Sequence, residues 1–139
     1  MANALFNSAR DAFLTGSLAW NNTGGTIKVV LIDEGTVIPS VSAHDFYDDI
    51  VAGLVGSATA AANPTTSGDG VADADDVTFS AVTGASVESL VIYKDTAGGN
   101  STDPLIAYIN VATGLPVTPS GGDIIVVWSN TSGQKIFKL

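Results

Sequence analysis

Branching at Cβ dominates this chain: 39 of its 139 residues are Val, Ile or Thr. Two heavy atoms on Cβ crowd the preceding turn of a helix but fit a pleated sheet. With 15 Gly and 5 Pro between the apolar runs, the pattern predicts a mainly β, antiparallel fold. The second half carries it most clearly. Residues 77–82, 87–94, 105–111, 124–130 and 135–139 read as five strands, separated by Gly84, the 97–100 cluster, the 114–122 stretch and Ser132-Gly133. Residues 87–94 are partly apolar on both faces, which predicts a central strand. In the first half, 26–33 (TIKVVLID) is apolar on both faces apart from Lys28 and predicts a well-covered strand. Residues 18–20 and 54–61 are weaker strands, 45–50 one helical turn, and 34–43 and 63–70 loops. Short strands at this spacing predict a sandwich or barrel of about eight strands.

One helix is predicted, at the N-terminus. Leu5, Phe6, Ala9, Phe13 and Leu14 recur at near-helical spacing, with Asn3 placed to cap the start and Gly16 to end it. Two roles fit such a stripe. It covers the chain's own sheet, a role suited more to Phe13 and Leu14, or it is an arm that packs on another subunit. Leu5, Phe6, Ala9 and Phe13 are the candidate contact residues of that arm, with the loops around Pro39 and Pro116 as the fallback. No linker or repeat divides the chain, so residues 1–139 are expected to form one domain: a helix or arm over 1–16 and a β-sandwich or barrel over 17–139.

Five basic residues stand against 14 acidic ones, a net charge of −9, and only 14% of residues are charged. Five cations cannot neutralise many phosphates, so no nucleic-acid partner is expected. An apolar content of 45% argues against disorder of the whole chain. No run approaches the roughly 20 apolar residues of a membrane span, and the first residues lack the basic start and apolar core of a secretory signal. Both point to synthesis in the cytoplasm without a membrane partner. The absence of Cys removes disulfides and thiolate chemistry, and a single His removes multi-histidine metal sites.

Few motifs suggest chemistry. Asp69, Asp73, Asp75 and Asp76 alternate through a loop as Ca²⁺ ligands do, but the glycine is misplaced for an EF-hand and no Glu closes the loop. His44-Asp45, with Asp48 and Asp49 nearby, would need a serine nucleophile, and no G-x-S-x-G elbow exists. Phe46 and Tyr47 are expected to anchor that segment to the core. Glu34 and Glu88 are the only glutamates, and Glu88 reads as a surface residue. Gly98-Gly99 and Gly121-Gly122 lack the lysine and helix of a phosphate loop. The N-x-S/T sequons at Asn21, Asn100 and Asn130 read as chance in loops rich in Ser and Thr. The expectation is no enzyme, with no catalytic residue, cofactor or metal.

The runs 73–96 (DADDVTFSAVTGASVESLVIYKDT) and 105–139 (LIAYINVATGLPVTPSGGDIIVVWSNTSGQKIFKL), together with 26–33 and the His44-Asp45-Phe46 segment, resemble a group of small virion structural proteins of tailed bacteriophages. The resemblance covers nearly the whole chain. It implies a capsid cement, or decoration, protein that binds the outer surface of the shell, with the major capsid protein as partner and the host bacterial cytoplasm as the place of synthesis. It carries over no catalytic residue. The alternative is a tail- or fibre-associated module that binds a host surface glycan or another virion protein. Closed symmetry among identical chains adds the expectation of a homo-oligomer, a trimer or dimer.

Overall fold

A computed structural model describes residues 3–133 and 135–139. The fold is mainly β, with antiparallel pairing throughout and one α-helix. Ten strands occur among the described residues. They are β1 (Ala4–Leu5), β2 (Thr26–Ile32), β3 (Leu54–Ala60), β4 (Thr65–Ser67), β5 (Val71–Asp73), β6 (Val77–Phe79), β7 (Ser89–Asp95), β8 (Leu105–Ile109), β9 (Ile124–Val126) and β10 (Phe137–Lys138). The helix, α1, spans Asn7–Thr15. Among the described residues the sheets do not close into a barrel, and the arrangement is sandwich-like.

A five-stranded sheet ordered β1-β8-β7-β2-β3 forms the main layer. Its centre is β7, as the two-faced apolar pattern predicts. β2 pairs with β7 in unbroken register from Thr26↔Asp95 to Ile32↔Ser89. A three-stranded sheet, β10-β5-β4, and a two-stranded one, β6-β9, complete the architecture. One hydrophobic cluster joins them, from Ile27, Val29 and Leu31 on β2 to Val91 on β7, Ile106 on β8, Ala72 on β5 and Phe79 on β6. Each fully buried Leu, Ile or Val contributes about 1.5–3 kcal/mol relative to exposure.

The N-terminal segment departs from the expected helix. Ala4 and Leu5 pair with Tyr108 and Ala107 as an edge strand. Asn3 caps no helix: its Oδ1 accepts the N–H groups of Asn110 and Val111, at 3.0 and 2.9 Å. The helix therefore starts at Asn7. It ends as expected at Gly16, which takes the left-handed conformation (φ 76°) that closes a helix.

Residues 18–20 form no strand. Leu18 and Trp20 are nevertheless buried, and the Trp20 Nε1–H donates to the Asp73 carbonyl at 3.0 Å. The turn expected over 45–50 is a 3₁₀ turn at Tyr47–Asp49, followed by another at Val51–Gly53. β4 and β5 arise where a loop was expected.

Candidate functional site

The histidine segment is a folded loop. His44 Nδ1 accepts the Ser40 N–H at 3.2 Å. Asp49 Oδ2 accepts the N–H groups of Asp45 and Phe46, at 2.9 and 3.2 Å. These donors hold its carboxyl below the usual range, the Asp45 N–H most of all. Tyr47 anchors the segment, stacked on Tyr93 with ring centroids 4.1 Å apart. These side-chain contacts close the segment's own turn, and its backbone is tied to the 103–105 segment, the Tyr47 N–H donating to the Asp103 carbonyl and the Asp45 carbonyl accepting the Leu105 N–H.

The acidic stretch does similar work. Asp73 Oδ1 accepts the Ala74 N–H, and Asp73 Oδ2 lies 3.6 Å from Lys135 Nζ. Asp75 Oδ2 accepts from Asn63 Nδ2 at 2.6 Å, and Asp76 Oδ1 takes the Trp128 N–H at 2.9 Å. The Trp128 Nε1–H ends on the Asp75 carbonyl. Both tryptophans are thus pinned to this stretch. Among the described residues, no group of three His, Asp or Glu side chains is placed to hold a metal ion.

Sequence reasoning missed one polar constellation. Glu88 Oε2 accepts the Glu34 N–H at 2.9 Å, and the Tyr108 hydroxyl donates to Glu34 Oε1. Burial first, and Glu34 second, push the Tyr108 hydroxyl up to about 12. Tyr108 is almost wholly buried, so its hydroxyl reaches Glu34 and not a solute. Three chain positions far apart, 34, 88 and 108, meet only through the pairing of β2, β7 and β8, which no local motif announces.

The expected contact residues lie mostly inside the chain. Leu5, Phe6 and Ala9 are buried, and Phe13 is half-buried with its ring 6.1 Å from Phe137. They pack on the chain's own fold and present no free arm. Of the helix's large apolar residues, Leu14 faces solvent, 87% exposed, against the expectation that it was, with Phe13, one of the better core residues. Leu14 lies about 140° round the helix from Ala9, whereas Phe13 lies about 40° from it.

Two exposed apolar surfaces result. At the first, Leu14 and Leu139 join Phe13, Arg10 and Lys138 around an open cavity of about 410 Å³. The other cations are engaged: Lys28 with Asp95, Lys135 with Asp73, and Lys94 with the Ala19 carbonyl. Arg10 and Lys138 make no ion pair among the described residues. At the second, Ile125 and Val127 stand beside a groove of about 320 Å³ lined by Leu31, Leu90, Leu115 and Val117. This brings β9 to the loop around Pro116.

The aromatic side chains are turned inward. Trp20, Trp128, Tyr47, Tyr93, Tyr108, Phe6 and Phe79 are buried, and Phe13, Phe46 and Phe137 are half-buried. Searched against family models and curated proteins, the chain matches neither.

Proposed function

We propose that this chain is a structural virion protein of the capsid-decoration kind, binding the outside of a shell and acting through contact rather than turnover. The observation that carries the reading is a division of labour among side chains. The histidine and the clustered carboxylates hold the chain's own loops, while large apolar residues such as Leu14, Ile125, Val127 and Leu139 face solvent. Exposed apolar side chains grouped with polar rims mark protein contact surfaces. The resemblance of 73–96 and 105–139 to virion structural proteins supplies the setting.

Within this reading, the surface around Leu14 and Leu139 meets the major capsid protein. Arg10 and Lys138 at its edge would pair with acidic groups of that partner. Repetition over a shell turns modest single contacts into firm attachment. The glycan-binding alternative is less well supported, because the aromatic faces that stack on sugars are packed inside the chain. A cryo-EM map of the particle that carries this protein tests the proposal. Density for the chain on the outer capsid lattice is the expected result. Density confined to the tail, or no density anywhere in the particle, would overturn it.

A further inference from the structure

From residue 104 to residue 134 the sequence holds one charged residue, Asp123, and the other 18 charges lie outside that stretch. Asp123 is itself engaged, its Oδ1 accepting the Ala81 N–H at 2.9 Å. The fold gathers much of this uncharged stretch onto one face. β9 lies across the apolar groove from Ala112–Leu115 residues, and Val117 beside them is tied by two backbone hydrogen bonds to Val87, at 2.8 and 2.9 Å. Ile125 and Val127 stand out from this face, 60% and 65% exposed.

Among the described strands, β9 pairs with β6 alone. The Trp128 N–H points to the β6 side, where it donates to Asp76. By alternation, residues 124 and 126 turn their backbone toward β6, while the N–H and C=O groups of Ile125 and Val127 turn away. Natural edge strands are usually guarded by lysine, proline or an inward charge. Residues 124–128, IIVVW, contain none of these.

We propose that this face is where two copies of the chain meet. The contact is two-fold: the β9 edges run antiparallel, and Ile125 and Val127 of each copy cover the groove of the other. Charge selects the occupant. At −9, two copies repel wherever their acidic surfaces are opposed, and this face, where Asp123 is the one carboxylate lining the groove, lets them approach with few carboxylates opposed. A partner recognised by charge finds only Asp123 here, already holding the Ala81 N–H. An uncharged strand edge is, in contrast, complementary to itself in the antiparallel sense, as a two-fold contact requires. The inference goes beyond the virion reading and does not depend on it.

Sedimentation equilibrium of the purified chain over a range of concentrations tests it. The expected result is a dimer of the 14.0 kDa chain. Val127→Asp places two carboxylates in the contact and is expected to weaken the dimer by at least about tenfold, one decade being a modest charge penalty. Leu14→Asp, on the other surface, is expected to leave it unchanged. Hydrogen exchange on the unaltered protein gives a second reading that no folding defect can confuse: protection of residues 124–128 rises with concentration. A monomer throughout, a trimer, a Val127→Asp protein that dimerises as before, or exchange at 124–128 that ignores concentration would each overturn the proposal. Any of these could occur with the chain still found on a capsid, so the two proposals fail separately.

Discussion

The three tyrosines show how a buried hydroxyl ties folding to pH. Tyr47, Tyr93 and Tyr108 all have their ionisation raised above the ordinary 10.0, in each case chiefly by burial. The unfolded chain therefore releases these protons first. The stability they contribute is complete below pH 10 and is lost as pH rises through that value toward the folded ones, about 12 for Tyr108. Lys94 has the opposite sign. Burial lowers its ionisation from 10.5, so the cost of keeping it charged is relieved as pH approaches 10.5. Above that point only the tyrosines act. An alkaline titration that follows tyrosinate absorbance and circular dichroism together should show most tyrosinate appearing as the β signal is lost. Three tyrosinates formed in a chain with its β signal intact would contradict this account of their burial.

At this scale the sequence was partly legible. Tyr47 was readable as an anchor because it sits in an apolar pair beside a turn. Glu34 and Glu88 were not readable, since each is solvent-compatible in its own segment and acquires its partner only from strand pairing.

Among the elements, β2, β7 and β8 could be read because their apolar residues follow one another closely in sequence, while β3, LVGSATA, could be read only weakly. β4 and β5 could not. Thr65–Ser67 is wholly exposed, and Val71–Asp73 lies within acidic residues. Their sheet is completed by β10, more than 60 residues away along the chain. The N-terminus misled for a related reason. Leu5 and Phe6 suit a helical stripe, but pairing of β1 with β8 and the hydrogen bond from the Phe6 N–H to the Ile106 carbonyl, at 3.0 Å, hold them extended. A few sheet hydrogen bonds and a buried ring outweigh the small propensity difference between helix and strand.

This segment is integral to the fold, and its two apolar rows should respond differently. Phe6→Ala leaves a cavity in a wholly buried site and is expected to cost about 3–5 kcal/mol. Leu14→Ala removes an exposed side chain and is expected to change stability by no more than about 0.5 kcal/mol. Urea unfolding of both variants checks the contrast. Equal losses would mean that α1 sits on the sheet in another orientation. Removal of the residues before Thr15 should likewise unfold the chain rather than release a separable arm.

For the molecule as a whole, the decisive feature is how charge and apolar surface are distributed. The chain is strongly acidic, yet its second half presents a face with almost no charge. At the helix and β10 corner, two cations border an apolar opening. The uncharged stretch was visible in the sequence, but its gathering onto one face required the fold. In the proposed reading, one surface meets a second copy and the other a shell.

Binding of the purified chain to capsid shells that lack it tests this account most directly, read by co-sedimentation against concentration. The account predicts saturable binding at a fixed number of copies per shell, and a loss of at least about tenfold in affinity for Leu14→Asp, a charge placed at the contact. Its folded state can be checked by circular dichroism. Shells that take up no chain, or that bind the folded Leu14→Asp protein as tightly as the original, would contradict it.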